Sequence, residues 1–288
     1  MRLSFEMILA RLFLPLLLAG LAFPQPLDNE KIWQDFVSWV KSQHDIADVG
    51  SDKYYSSLIA AGLTPAQAWE RMGILGKLYP ERRKELSGVY MNQLHTSPKQ
   101  TRFTLEPNAF LAMTAKGLKP GTALDIAMGQ GRNGVYLATL GWDVTGYDIA
   151  DEGLRIANGN AAKAGVRIQT VHAAFEDFDY GKQRWDLIYF VYTDAPVVDP
   201  KFAERICSAL KPGGYLLIER PFRDLDNPDP EWSAPFIEQD QPNALLKAYS
   251  NLRIIHYQDT MEIGDWQQTS VNRLEKRLRI VRILARKQ

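Results

Sequence analysis

Apolar positions along the chain fall into two textures. Between Asn29 and about Leu118 they recur at helical spacing: Ile32, Trp33, Phe36, Val37 and Val40 share one face. Thr64-Pro65-Ala66-Gln67 reads as a capping box with proline at the first helical position, opening a helix through Trp69 and Met72. Pro80, Gly88 and Pro98 are breakers in "LYPERRKELSGVYMNQLHTSPKQ", and they predict at least one further helix and a loop. Residues 26–118 are therefore expected to form a helical cap.

The texture changes at Pro120-Gly121. "TALDIAM" is a short apolar strand, "GRNGVYLATLG" a helix closed by Gly141, and "WDVTGYD" a second, alternating strand. "EGLRIANGNAAKAG" (helix), "VRIQTVHA" (strand), "WDLIYFVY" (strand), "KFAERICSALKPGG" (helix with a glycine stop) and "YLLIERP" (strand) continue the alternation. Strands alternating with helices make βαβ units, hence a parallel sheet covered on both faces. "NALLKAYS" adds a helix, and "LRIIHYQDT" with "KRLRIVRILAR" predicts an antiparallel hairpin at the sheet edge. The fold class is α/β, with residues 119–288 as the sheet domain.

Residues 1–25 are set apart. Arg2 and Arg11 precede an apolar run from Leu12 to Phe23, too short for a comfortable membrane span but suited to a signal-peptide core, and Gly20-Leu21-Ala22 offers a cleavage site. Pro15 and Glu6 are imperfections in that pattern. The segment is expected to direct export or membrane association, an ordinary helix being the alternative. Over the whole chain charge is balanced, with Lys+Arg and Asp+Glu at 34 each, so no basic field points to a nucleic-acid partner. Cys207 and the scattered His44, His95, His172 and His256 make no zinc spacing and no disulfide framework. Cys207 reads as a buried helix residue.

The candidate chemistry lies in "ALDIAMGQGRNGVYLATLGWDVTGYD". A strand, a glycine turn (Gly129, Gly131, Gly134) and a helix let a backbone approach a ligand and present N–H groups to it. Asp148 ends the next strand, where an acid accepts bonds from ribose hydroxyls. The glycine pattern alone suits either a nicotinamide dinucleotide or S-adenosylmethionine. Asp125 separates them: a dinucleotide fingerprint runs an apolar strand into its first glycine, whereas a carboxylate there suits a cationic ligand end. "LKPGG" before the fifth strand and a terminal strand pair in place of a second βαβαβ half point the same way.

"LDIAMGQGRN", "VTGYDIA", "WDLIYF" and "ALKPGGYLLIE", in that order, resemble a class I S-adenosylmethionine-dependent methyltransferase, with a glycine turn similar to those of tellurite-resistance and thiopurine-type small-molecule methyltransferases. The resemblance covers about Glu106 to Arg286. It implies a Rossmann-like seven-stranded, mostly parallel sheet whose last strand runs antiparallel between its neighbours. It implies S-adenosyl-L-methionine as cofactor: Ala127, Gly129 and Gly131 under the methionine part, with Asp125 orienting the loop or the ammonium. Asp148 would bind the ribose, Ile149 the adenine, and Phe175 with Glu176 would complete adenine recognition where the family often has Asp at the position of Ala174. Arg132 and Asn133 could reach a carboxylate. Ala127 departs from the family's more usual glycine, and the turn then requires that residue to avoid a left-handed conformation. Each residue also has a plain reading: Asp125 as a turn cap, Asp148 as a turn residue, Arg132 and Asn133 at a helix N-terminus, Phe175 as core, Glu176 as surface.

In-line methyl transfer asks mainly for alignment and exclusion of water. "VYTDAP" offers Tyr192, Thr193 and Asp194 on the expected side, with Tyr192 and Asp194 as the catalytic candidates, although Asp before Ala-Pro is also a common turn or cap. The absence of an Asn/Asp-Pro-Pro-Tyr signature counts against DNA. A small-molecule acceptor is expected, its pocket shaped by Tyr90, Asn92, Phe103 and Asn108 and by the acidic insertion "FRDLDNPDPEWSAPFIEQDQPN", carrying Trp232. A monomer is expected. The alternatives are a ligand-binding protein without catalysis and an NAD(P)-dependent oxidoreductase. Localisation stays open, because an export signal conflicts with a cofactor made in the cytosol.

Overall fold

The computed structural model describes residues 28–43, 51–96, 104–222, 242–265 and 277–288. The signal-like segment, Pro98, Phe103 and all but the ends of the acidic insertion lie outside the described residues.

Three helices, α1 (Asn29–Ser42), α2 (Ser51–Ala60) and α3 (Pro65–Thr96), form the N-terminal unit. The face anticipated on α1 is buried: Ile32, Trp33, Val37 and Val40 share a core with Tyr54, Leu58, Leu75 and Leu86. The capping box closes as expected, Thr64 N donating to Gln67 Oε1 at 2.9 Å and Gln67 N to Thr64 Oγ1 at 3.3 Å. Two of the predicted breakers, Pro80 and Gly88, do not break the helix. α3 runs for 32 residues through Pro80 and Gly88. A proline and a glycine cost a helix roughly 3 and 1 kcal/mol of propensity, which tertiary packing overrides. The helix is anchored on both sides of Pro80, by buried Leu75 before it and by Leu86 and the Trp33 Nε1 bond to Glu85 Oε2 (2.8 Å) after it. Gly88 is a contact: a Cβ there would stand 3.3 Å from the Ile149 carbonyl oxygen.

The sheet has seven strands: β1 (Thr122–Ile126), β2 (Asp143–Asp148), β3 (Gln169–His172), β4 (Trp185–Val191), β5 (Leu210–Phe222), β6 (Arg253–Glu262) and β7 (Leu278–Arg286), in the order β3-β2-β1-β4-β5-β7-β6. Pairing is parallel from β3 to β5, and β7 runs antiparallel between β5 and β6. Both the seven-stranded sheet and the terminal hairpin are as the sequence predicts. Helices α4 (Ala109–Lys116), α5 (Arg132–Thr139) and α6 (Asp151–Lys163) cover one face, and α7 (Pro200–Ala209) and α8 (Pro242–Ala248) the other. Cys207 is buried on α7.

Burial on both faces explains the apolar runs of β1 and β4, where Ala123, Leu124, Ile126, Leu187, Ile188 and Phe190 are all core. α7 ends without the expected glycine stop: Leu210 already pairs with Trp185, so "LKPGG" opens β5. Gly214 is needed for strand proximity, since a Cβ there would lie 2.9 Å from Lys211 O and 3.0 Å from Trp185 O. The strand order turns away from β1 toward β2 on one side and β4 on the other. That reversal opens a crevice at the C-terminal ends of the strands, where open α/β sheets bind ligands.

Candidate functional site

The turn from β1 to α5 is closed by one bond within its own backbone and two to β2. Met128 N donates to Tyr147 O at 3.0 Å, Gly131 N to Met128 O at 2.8 Å, and Gly129 N to Asp148 Oδ2 at 2.8 Å. Gly129 and Gly131 have φ of +51° and +77°, and a Cβ on Gly131 would come within 2.8 Å of Ala157 Cβ. Ala127 does not avoid the left-handed region: its φ is +54°. An L-residue there costs roughly 1–2 kcal/mol. Its neighbours hold it in place, because Ile126 and Met128 are buried and the Met128 N–H is fixed on β2.

Two carboxyls face this turn from strand ends. Asp125 lies on β1 beneath the start of α5, with Oδ2 3.1 Å from where a Gly134 Cβ would stand. Burial raises its pKa to about 7, opposed chiefly by the nearby Tyr189 hydroxyl and by the Gly134 N–H. Yet Asp125 Oδ2 and the Tyr189 hydroxyl, both buried, have no well-formed hydrogen-bond partner among the described residues. Asp148 ends β2, 4% exposed, accepting from Gly129 N and Ala150 N at 2.8 Å each. Burial outweighs those bonds and raises its pKa as well. Ile149 follows, half-buried, its carbonyl oxygen 2.9 Å from His172 Nε2.

Beyond β4 the site is polar and crowded. Tyr192 sits at φ +55°, and its hydroxyl donates to Glu219 Oε1. Burial, then the Glu219 charge, hold that phenol well above its ordinary pKa, so it stays protonated. Glu219, fully buried on β5, also accepts from Asn108 Nδ2 at 2.9 Å and from Arg282 Nε at 2.6 Å. Arg282 further pairs with Glu262, and Asn108 Nδ2 reaches Asp265 at 2.8 Å. Arg132 turns into this network and away from the glycine turn, bonding Asp265 at 3.1 Å and the Glu106 carbonyl at 3.2 Å, with its guanidinium 5.8 Å from the Tyr192 ring centroid. Asn133 Oδ1 accepts from Asn108 N at 2.9 Å.

Several expected residues sit apart from that cluster. Phe175 packs edge-on to Tyr147 and Phe202, beside the core of the other sheet face. Glu176 and Asp194 are exposed, and Thr193 Oγ1 caps the Asp194 turn by accepting from Ala195 N at 3.1 Å. Of the cap residues, Tyr90 is exposed, while Asn92 bonds Asp151 Oδ1 at 2.5 Å and accepts from Glu152 N at 3.1 Å. Glu219, Arg282, Asp265 and His95 escaped the sequence reading. Glu219 had a signal, a lone acid inside the apolar strand "YLLIERP". Arg282 alternates on β7 among aliphatics, and Asp265 had none.

The seven-stranded sheet is consistent with a Rossmann-like methyltransferase fold, and residues 123–214 match the methyltransferase-domain family. Among known proteins the chain is similar to the probable S-adenosyl-L-methionine-dependent methyltransferase TehB of Haemophilus influenzae, 28% identical over 179 residues, which are 60% of this chain and 59% of that protein. The crystal structure of TehB from Haemophilus influenzae superposes with a TM-score of 0.53 at 25% identity, covering 62% of each chain. A ubiquinone biosynthesis O-methyltransferase of Methylobacterium nodulans is 38% identical over 98 residues, 32% of this chain and 38% of that enzyme. The chain thus spans less than two thirds of the length of these relatives.

Proposed function

We propose that the protein transfers the methyl group of S-adenosylmethionine to a small-molecule acceptor by in-line displacement. The observation that carries this reading is the pairing of a glycine turn at positive φ with a buried carboxyl, Asp125, one of whose oxygens has no well-formed partner. An under-satisfied acceptor beneath a backbone cradle suits the ammonium of an amino-acid end. Asp148 keeps lone pairs for ribose hydroxyls beyond the two N–H groups it accepts, and Ile149 beside it offers an apolar surface for adenine. Ala127, Gly129 and Gly131 form the floor.

The cofactor supplies the activated carbon; the chain's part is to align the acceptor and keep water out. Tyr192 is the residue at the end of β4 most firmly aimed, its hydroxyl held by Glu219 and its ring faced by Arg132. It is read as lining the acceptor side as a protonated, hydrogen-bonding group. Asp194, on the exposed turn that follows, is the candidate proton acceptor where the substrate has a proton to lose. Arg132 serves this side. Phe175 and, through its backbone, Glu176 remain candidates for the adenine end. The names of the relatives, one of them an O-methyltransferase of ubiquinone biosynthesis, support a small acceptor.

Titration calorimetry of the full chain tests this. S-adenosylhomocysteine is expected to bind at micromolar Kd, Asp148→Ala to weaken it at least about tenfold through loss of the ribose bonds, and NADH to give no heat. Absence of S-adenosylhomocysteine binding, or equal binding by Asp148→Ala, would sink the reading.

A further inference from the structure

One face of α3 lies across the glycine turn. Gly88, Asn92 and His95, spaced four and three residues apart, meet the β2–α6 connection, the first turn of α6 and the loop between β1 and α5 in turn. At the far end the His95 imidazole is seated between two glycines. A Cβ on Gly129 would stand 3.4 Å from its Cε1, and one on Gly153 would stand 2.9 Å from its Nε2, closer than real side chains come. Its Nδ1 is 3.3 Å from Gln130 Nε2, and the Gln130 backbone is pinned by Asn160 Nδ2 at 3.0 Å. With the Gln130 amide donating to Nδ1, the ring proton resides on Nε2.

The amino-acid end of the cofactor carries a carboxylate as well as an ammonium, and the loop has few donors left for it. The Gly129 N–H is taken by Asp148 and the Gly131 N–H by Met128 O. Arg132 is held by Asp265 and the Glu106 carbonyl. We propose that His95, from the N-terminal helical unit, is a cofactor-positioning residue whose imidazole donates to the carboxylate of the amino-acid end, making α3 one wall of that subsite. This rests on the cofactor reading above. Burial keeps the His95 pKa down to about 4, so at neutral pH it acts as a neutral single-proton donor.

The test compares two ligands on the full chain: S-adenosylhomocysteine, and 5′-methylthioadenosine, which keeps the adenosine and lacks the amino-acid end. His95→Ala is expected to weaken S-adenosylhomocysteine about tenfold, as a hydrogen bond to a charged group implies, and to leave 5′-methylthioadenosine within about twofold. His95→Gln, which retains a donor, should recover part of the loss. Gly153→Ala, which crowds the ring, should reproduce the selective loss even if His95→Ala fails to fold. Parallel weakening of both ligands would mean that α3 is only packing, and no change in either would mean that His95 touches nothing; both overturn the proposal. Wild-type protein that binds neither ligand overturns the cofactor reading itself and this inference with it.

Discussion

Asp125 and Glu219 are buried carboxyls on the same face of one sheet, with β4 between their strands, and the protein treats them in opposite ways. Glu219 is saturated by Asn108, Tyr192 and Arg282. Asp125 has a pKa raised to about 7 and an oxygen with no well-formed partner. Burial is therefore no guide to function by itself; what separates the two is whether the surroundings complete the hydrogen bonding. A completed carboxylate is scaffold, while an incomplete one stores a cost that a ligand can relieve.

The largest effect that divides them is on stability. Glu219→Ala leaves Arg282, 14% exposed, without its main counter-charge, together with the Asn108 amide and the Tyr192 hydroxyl. Breaking a buried pair by removing one partner costs about 3–5 kcal/mol. Urea denaturation should show a loss of that order, with Glu219→Gln milder because it keeps an acceptor. A loss under about 1 kcal/mol would show that the network is not structural and would erase the contrast with Asp125.

Asp125→Asn should do the reverse. The folded pKa of about 7 lies above the ordinary carboxyl value. The folded state therefore binds a proton more readily than the unfolded chain, and Asp125 takes stability away as pH rises from about 4 to about 7. Asparagine removes that loss. The variant is expected to match the wild type near pH 4 and to exceed it at pH 8 by on the order of 2–4 kcal/mol, while binding S-adenosylhomocysteine more weakly. Denaturation midpoints at both pH values check the first part and calorimetry the second. A variant less stable than wild type at pH 8 would mean that Asp125 is a completed structural group after all.

The two regions also differed in how far the sequence could be read. The ligand-facing side was legible because its parts are local: a strand, glycines and a strand-terminal acid lie within "ALDIAMGQGRNGVYLATLGWDVTGYD". The seven-stranded, mostly parallel sheet and its antiparallel last strand followed from alternation together with family resemblance. The network around Glu219 joins Asn108, Asp265 and Arg282, far apart in the chain, and no local pattern announces it. α3 was misjudged for a related reason. Pro80 and Gly88 are breakers by propensity, but Leu75, Glu85 and Leu86 hold the helix through contacts that propensity does not contain. The same contacts carry His95 to the glycine turn, where a lone histidine gave no sign of belonging.

The smallest predicted effect concerns backbone strain, of which each region holds one instance: Ala127 at φ +54° beside Asp125, and Tyr192 at φ +55° beside Glu219. Tyr192 keeps its conformation with the help of its hydroxyl on Glu219 and its N–H on the Glu219 carbonyl at 2.9 Å. Ala127 has only a methyl, so its strain can be relieved without removing any interaction. Ala127→Gly gains back the left-handed penalty of roughly 1–2 kcal/mol and gives up part of it to the greater freedom of glycine in the unfolded chain. A net stabilisation of about 0.5–1 kcal/mol is expected, read as a higher denaturation midpoint at unchanged urea dependence. Because the turn already has the shape that glycine prefers, S-adenosylhomocysteine affinity should stay within about twofold of wild type. A destabilised Ala127→Gly variant would show that the methyl packs usefully against its neighbours. A sharp loss of affinity would show instead that the ligand side depends on a turn held stiff by alanine.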